Sequence, residues 1–380
     1  MKKEVVPILI SPCCKKDMHI NILSIYLNNR DSEIDEGVLF CSRCTREFPI
    51  FEGIPRLCNE LLPSENEALK KLKAKSNLIE HIKSDMKSDV YERIEELVRE
   101  KIKADGENEY LRNRSKNDIS FRIRGCEKQE KYIRTLRYYY NGEVNSILDI
   151  GGGQGGLIHC CNKHLKPSLS ILLDYDLSWV KVAKLRNPSI TVVRADAANI
   201  PFKKDSFDLV ISQACLEHIP NYKQAINEMC RVSRDALFLA WNPNKFFVYD
   251  FGHLDAPVAI FPKSIAKYVA LIWHKIRQTK RTLSSIIDEL NKTFYISTTL
   301  VKGILKKYGE VHNVFTIFVL NSLDASEAGR FAKQKALLVK YKFFSKAFLN
   351  LLVFLKIEPQ CYYILRKTSN STVSINEAIF

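Results

Sequence analysis

Residues 147–156 read ILDIGGGQGG: an apolar run, an acidic residue near its end, then glycines spaced so that the backbone can turn tightly and approach a ligand. Working outward, the same kind of run recurs as SILLDYD (170–176), ITVVRAD (190–196), FDLVIS (207–212) and ALFLAW (236–241), separated by helix-length segments. Short apolar runs alternating with helical spacers predict a parallel sheet covered by helices on both faces. In such a sheet the ligand sits beyond the carboxyl ends of the strands, so the residue closing each run carries the information.

The chain as a whole divides into four stretches. Residues 1–60 carry cysteines, Pro49, Pro55, Gly37 and Gly53 and predict short strands and turns. Residues 61–140 are charged and almost free of Gly and Pro, with Leu69, Leu72, Leu78 and Ile82 at roughly helical spacing, which predicts a helical connector. The α/β core is expected over 141–325, and a basic amphipathic helical insertion plus a final strand, CYYILRK, over 326–380. At 380 residues and 46% hydrophobic composition the chain can bury a real core. The most apolar stretch, AFLNLLVFL (347–355), is too short to span a bilayer and is flanked by Lys346 and Lys356. No small-residue cleavage site follows the start, and eleven cysteines in a chain of this size need no disulfide framework. A cytoplasmic protein is expected. The net charge of +15 favours an anionic partner without choosing among nucleic acid, membrane surface and phosphorylated substrate.

Gly151, Gly153 and Gly156 satisfy the dinucleotide pattern G-x-G-x-x-G, while Asp149, Gly151, Gly153 and Gly155 satisfy D-x-G-x-G-x-G, the pattern expected for S-adenosylmethionine (SAM). The glycines do not discriminate. Asp149 does, because a carboxylate there repels a pyrophosphate and attracts a ligand carrying an ammonium and a sulfonium. Asp174, 19 positions after Gly155, can accept hydrogen bonds from ribose hydroxyls, a feature both nucleotides share. Asp196 closes the third run and can accept from an adenine amino group, with Pro201 and Phe202 following to cover the ring.

Taken together, ILDIGGGQGG, LLDYDLSWVKVAK, VVRADAANIPFKKDSFDLVISQACLEHI and LAWNPN resemble the successive motifs of class I SAM-dependent methyltransferases of the ubiquinone-methyltransferase-like branch, over about residues 140–245. The resemblance implies a Rossmann-like doubly wound sheet. It sets Asp149 and the Gly151–Gly155 backbone at the methionine end of SAM, Asp174 at the ribose, and Asp196 with Ala197 at the adenine. Gly152 stands where the family often has Cys or another small residue, a departure expected to be harmless.

Near the amino terminus, LFCSRCTREFPIFEGIPRL (39–57) puts Cys41 and Cys44 at C-x-x-C spacing, half of a zinc site. The region resembles a Trm112-like zinc ribbon, whose pattern is C-P-x-C followed by C-x-x-C and F-P-I-x-x-G-I-P. Cys14, Cys41 and Cys44 match it. Ser11 stands where the fourth cysteine belongs, and the substitute is Cys13, adjacent to Cys14, or else Cys58, His19 or water. The resemblance implies bound Zn2+; the competing reading is a metal-free ribbon held by its core.

Methyl transfer from a sulfonium is an in-line displacement, helped by proton removal where the acceptor is a hydroxyl. QACLEHIPN (213–221) brings Glu217 and His218 to the end of the fourth run, as a general base or as the start of a pocket-shaping helix. His253, in DFGHLDAP, belongs to a lid after the fifth run, touching substrate or merely exposed. Further on, Leu337, Tyr341, Phe344 and Phe348 share a helical face, with Lys335, Lys342 and Lys346 around it; KSIAKYVALIWHKIRQTKR (263–281) has a similar basic-amphipathic character. Such helices either pack over the substrate site or dock on the inner face of a membrane. The expected acceptor is a small molecule or glycan, including a lipid-linked one. RNA is the alternative, weakened because no NPPY-like motif follows the fourth strand, and a non-enzymatic partner module is the third reading.

Overall fold

The computed structural model describes residues 1–28, 31–85, 119–187, 189–250, 253–279, 281–323 and 342–367. Lys335, Leu337 and Tyr341, on which part of the amphipathic reading rests, lie outside the described residues, as does 86–118 of the expected connector.

The strands are β1 (Met18–Asn28), β2 (Asp31–Cys41), β3 (Glu47–Phe51), β4 (Ile54–Leu57), β5 (Ser146–Ile150), β6 (Leu169–Asp174), β7 (Thr191–Ala195), β8 (Phe207–Gln213), β9 (Ser233–Pro243), β10 (Gly309–Asn313) and β11 (Gln360–Lys367). The helices are α1 (Pro63–Asp85), α2 (Ile119–Tyr139), α3 (Gly156–Leu165), α4 (Leu177–Arg186), α5 (Tyr222–Val232), α6 (Lys263–Ile276), α7 (Leu283–Lys292), α8 (Thr298–Leu305), α9 (Phe315–Leu323) and α10 (Lys342–Phe354). All five apolar runs of the core form parallel neighbours in the order β7-β6-β5-β8-β9. The order reverses at β5, where β6 lies on one side and β8 on the other. That reversal opens a crevice beyond the carboxyl end of β5, where the acidic, glycine-rich stretch sits.

β5 is buried at every position because both faces of the sheet are covered. One face packs Tyr132, Ile133 and Leu136 of α2, with Phe315 and Phe318 of α9, against Ile147, Phe238 and Tyr362. On the other face, Ile226 and Met229 of α5 and Val301 and Leu305 of α8 meet Leu148, Val210 and Leu237. In the 298–320 stretch the strand is GEVHN. The following FTIFVLNSL is the helix α9, whose first turn is capped by Asn313 accepting from the Phe315 N–H at 3.1 Å.

The amino-terminal strands do not form an isolated body. β1, β2 and β3 pair antiparallel, β3 pairs with β4, and β4 then runs parallel to β7 through Arg56↔Arg194 and Leu57↔Ala195. The result is one continuous eleven-stranded sheet. Phe48, Ile50 and Leu57 share a core with Val193, Ala195 and Phe202. Among the described residues, no helix is long and apolar enough to cross a membrane.

Candidate active site

At the end of β5 the Asp149 carboxyl is 1% exposed, and its Oδ2 has no hydrogen-bond partner. Burial, reinforced by the charge of Asp174, pushes it up to about 7. A buried acid facing another acid, with an unused oxygen, is a site that a cation relieves. The glycines following it are structurally required. Gly151 has φ +66°, and a Cβ there would lie 2.1 Å from Cys215 Sγ. A Cβ on Gly152 would meet Asp149 Oδ2 at 2.8 Å and Leu172 at 2.7 Å, so the departure noted at this position removes an atom for which there is no room.

A cavity of about 240 Å3 opens here, lined by Asp149, Gly151, Gly152, Gln154, Gln213 and, from α2, Gln129. Gln129 Oε1 is a second buried acceptor without a partner. Sequence reasoning missed it, because α2 precedes the core and nothing local marks one glutamine among its polar residues. Asp174 Oδ2 accepts from the Gly153 N–H and Oδ1 from the Asp176 N–H, both at 2.9 Å. It thus ties the glycine loop to the end of β6 while its remaining lone pairs stay available, and burial raises its pKa. Asp196 caps a 3-10 turn, Ala197–Asn199, by accepting from the Ala198 N–H at 2.8 Å, and Ala197 is buried within that turn. These residues fit SAM: unpartnered buried oxygens suit its ammonium, a side-chain-free cradle admits its backbone contacts, and a carboxylate stands at each of the next two strand ends.

Beyond β8, the 3-10 turn Leu216–His218 carries Glu217 inward and His218 outward. Glu217 is 1% exposed, its Oε2 lacks a partner, and burial pushes it up to about 7. His218 Nδ1 lies 3.1 Å from the Lys292 carbonyl. His253 reaches the same place from the segment after β9, its ring centroid 5.3 Å from that of His218. Behind it stands Asp250, with Oδ1 3.4 Å from His253 Nδ1. Asp250 also accepts from the N–H groups of His253 and Leu254 and from the Tyr295 hydroxyl. Burial alone would raise Asp250, but the His253 imidazole and the His253 and Leu254 N–H groups hold it at about 2. Burial likewise favours neutral His253, and Asp250 outweighs it to raise the imidazole above its ordinary value. Asp250 and Tyr295 escaped the sequence reading because they lie 45 residues apart and meet only through the fold of the segment after β9.

The ribbon cysteines converge. Ligand atoms of Cys13, Cys14, Cys41 and Cys44 all lie within 4.8 Å of one another, with Cys13 Sγ 3.5 Å from Cys44 Sγ. Cys58 is elsewhere, buried with its thiol 3.9 Å from the Arg194 carbonyl, and His19 packs on Phe40. Ser11 is buried beside the cluster. Burial would raise the Cys41 thiol, but hydrogen bonds from Ser11 and from the Cys44 and Arg43 N–H groups hold it at about 6. Four sulfur donors with one thiolate preset suit Zn2+.

Residues 148–238 match the family model described as methyltransferase domain, and residues 2–53 match that of the Trm112p-like protein. Residues 148–238 are thus similar to a methyltransferase domain. Over 90 residues it is 31% identical to phthiotriol/phenolphthiotriol dimycocerosates methyltransferase of Mycobacterium tuberculosis, covering 23% of this chain and 33% of that protein. Over 108 residues it is 31% identical to demethylmenaquinone methyltransferase of Renibacterium salmoninarum, covering 28% and 41% respectively. The chain thus spans between about a third and two-fifths of the length of these curated relatives. Among solved structures, a complex of the Haloferax volcanii Trm112 methyltransferase activator with a methyltransferase aligns at a TM-score of 0.41 and 12% identity, covering 69% of this chain and 99% of that one. The methyltransferase domain matched by sequence contains Asp149, Asp174, Asp196, Glu217 and His218; Gln129, His253, Asp250 and Tyr295 fall outside it.

Proposed function

We propose that the chain transfers the methyl group of SAM to a hydroxyl of a small molecule or glycan, lipid-linked and presented at a membrane face. The observation that carries the transfer is the pair of orphaned buried oxygens, Asp149 Oδ2 and Gln129 Oε1, facing one cavity beside the glycine loop. In this reading they take the ammonium of SAM, the Gly151, Gly153 and Gly155 backbone follows its chain, Asp174 takes the ribose, and Asp196 with Ala197 the adenine. SAM supplies the methyl group; the chain aligns the acceptor against it. Glu217, His218 and His253 stand at the carboxyl ends of β8 and β9 and orient the acceptor hydroxyl, with an imidazole within reach of its proton. The Trm112-like region over 1–60, the connector over 61–140, the core over 141–325 and the insertion over 326–380 are the working divisions of this reading.

Two things support an acceptor with a lipid part. The relatives are named for a dimycocerosate lipid and for menaquinone. On α6, beside the acceptor site, Ile265, Tyr268, Ile272 and Ile276 recur every third or fourth residue and are all exposed. Apolar residues with helical spacing, facing outward among lysines, suit the boundary between lipid headgroups and chains. The test is radiolabelled methyl transfer from SAM to a membrane lipid extract compared with total RNA. Label in the organic phase, lost with Asp149→Asn, supports the reading; label confined to RNA sinks it.

A further inference from the structure

Glu217, His218 and His253 each offer one ligand atom, and the three atoms lie within 4.8 Å of one another. We infer that these three side chains form a second metal site, separate from the cysteine cluster, for a divalent first-row transition ion such as zinc or cobalt. Its use in methyl transfer rests on the function proposed above; its existence does not.

Three features of the surroundings carry the inference. The Glu217 side chain is 1% exposed, yet its Oε2 has no hydrogen-bond partner, so a buried acceptor oxygen is left unpaired at the cluster. A buried carboxylate in that condition is costly unless a cation occupies the space it faces. The His218 ring is oriented by a contact outside the cluster, its Nδ1 lying 3.1 Å from the Lys292 carbonyl, which leaves Nε2 as a lone-pair donor. The His253 ring is backed by Asp250, 3.4 Å away, and Asp250 is itself fixed by two backbone N–H groups and the Tyr295 hydroxyl. A carboxylate behind a histidine and a backbone carbonyl beside another are the outer contacts that orient metal-binding imidazoles and raise their basicity.

The donor set narrows the ion. Two imidazoles and one carboxylate disfavour magnesium and calcium, which prefer all-oxygen cages, and favour zinc, cobalt or iron. Three protein ligands leave at least one coordination position open, as in catalytic rather than structural sites. An acceptor hydroxyl entering that position would become more acidic next to the ion.

Cobalt(II) is the probe, added to full-length protein whose cysteine cluster already holds zinc. The expected result is about one further cobalt per chain, with the weak visible bands of a nitrogen and oxygen ligand set and no thiolate charge-transfer band. Glu217→Gln and His253→Ala should each weaken cobalt binding by at least about tenfold, as should Asp250→Asn, which removes no ligand, by about 10–100-fold. The double change Cys41→Ser, Cys44→Ser should leave these bands in place. The proposal is overturned if wild-type protein takes up no cobalt beyond the cysteines, or if its spectrum shows only thiolate coordination. Unchanged binding in folded Glu217→Gln and His253→Ala overturns it equally. Should Glu217→Gln not fold, the wild-type spectrum alone decides. Loss of methyl transfer with cobalt binding intact would count against the proposed function and not against the site.

Discussion

Asp149 is where the chemistry and the stability of the protein meet in one residue. Burial and the charge of Asp174 raise its carboxyl from an ordinary value of 3.8 to about 7. The ligand-free fold therefore favours the protonated form. Its contribution to stability is complete below the ordinary carboxylate value and is lost as pH rises through about 7. An ammonium ligand favours the ionised form instead, so binding has to remove the proton at lower pH. SAM affinity measured by calorimetry should rise by up to about tenfold per pH unit towards pH 7, then fall above about pH 8 as the ligand's own amine deprotonates. Asp149→Asn should abolish the acidic limb and leave the alkaline one. A second expectation concerns Asp174, which holds the Gly153 and Asp176 N–H groups and is proposed to take the ribose. Asp174→Ala should cost on the order of 1–3 kcal/mol of SAM affinity in the same titration, and unchanged affinity would move the ribose contact elsewhere. Both aspartates were legible in the sequence because strand-end positions follow from the apolar runs. Gln129 was not, since its approach to the cavity depends on how α2 packs through Tyr132 and Leu136 rather than on any local pattern.

At the scale of elements, the unforeseen feature is the joining of β4 to β7. IPRL is four residues long, and nothing in so short a run names a partner strand more than a hundred residues away. The join is reinforced by a buried ion pair: Arg194, on β7, meets Glu65, at the start of α1, at 2.6 Å, with both side chains at most 3% exposed. Arg194 also donates to the Tyr175 carbonyl at 3.0 Å and lies over the Tyr175 ring, directly after Asp174. Removing one partner of a buried pair leaves an uncompensated charge, so Glu65→Ala should lower stability by about 3–5 kcal/mol in denaturant unfolding. The ribbon, by contrast, was half legible. C-x-x-C and F-P-I-x-x-G-I-P were visible, and Cys13 was the substitute for the ligand missing at Ser11, but its adjacency to Cys14 left Cys58, His19 or water open until the turn before β1 brings both thiols to the cluster. Metal analysis should find about one zinc per chain at this cluster, lost when Cys41 and Cys44 are both changed to serine. Fully folded wild-type protein without metal would support the ribbon held by its core alone.

For the whole molecule the governing quantity is the distribution of charge against apolar surface. The chain carries a net charge of +15, and residues 256–282 contain no Asp or Glu at all. Within that stretch α6 buries its small face, Ala266 and Ala270, and turns outward Tyr268, Ile272 and Ile276, which are 54%, 60% and 70% exposed. Exposing this stripe to water is unfavourable, whereas seating it among acyl chains while Lys263, Lys267 and Lys275 reach anionic headgroups would satisfy both halves of the helix. α10 repeats the pattern in part, exposing Phe348, Leu351 and Phe354, so two apolar faces stand outward on the carboxyl-terminal half of the chain. RNA binding would use the lysines but would gain from single aromatic rings stacked on bases more than from an aliphatic stripe. Sedimentation with vesicles containing anionic lipid should therefore pull the protein down at low salt and progressively less at high salt, because surface charges are screened. Ile272→Asp with Ile276→Asp should abolish binding even at low salt. Lys267→Glu with Lys275→Glu should instead weaken it and flatten its salt dependence, since the stripe remains while the steering charge is reversed. Vesicle binding that ignores the isoleucines and follows charge alone would reduce α6 to a basic surface, and retention of structured RNA without vesicle binding would return the chain to the RNA reading.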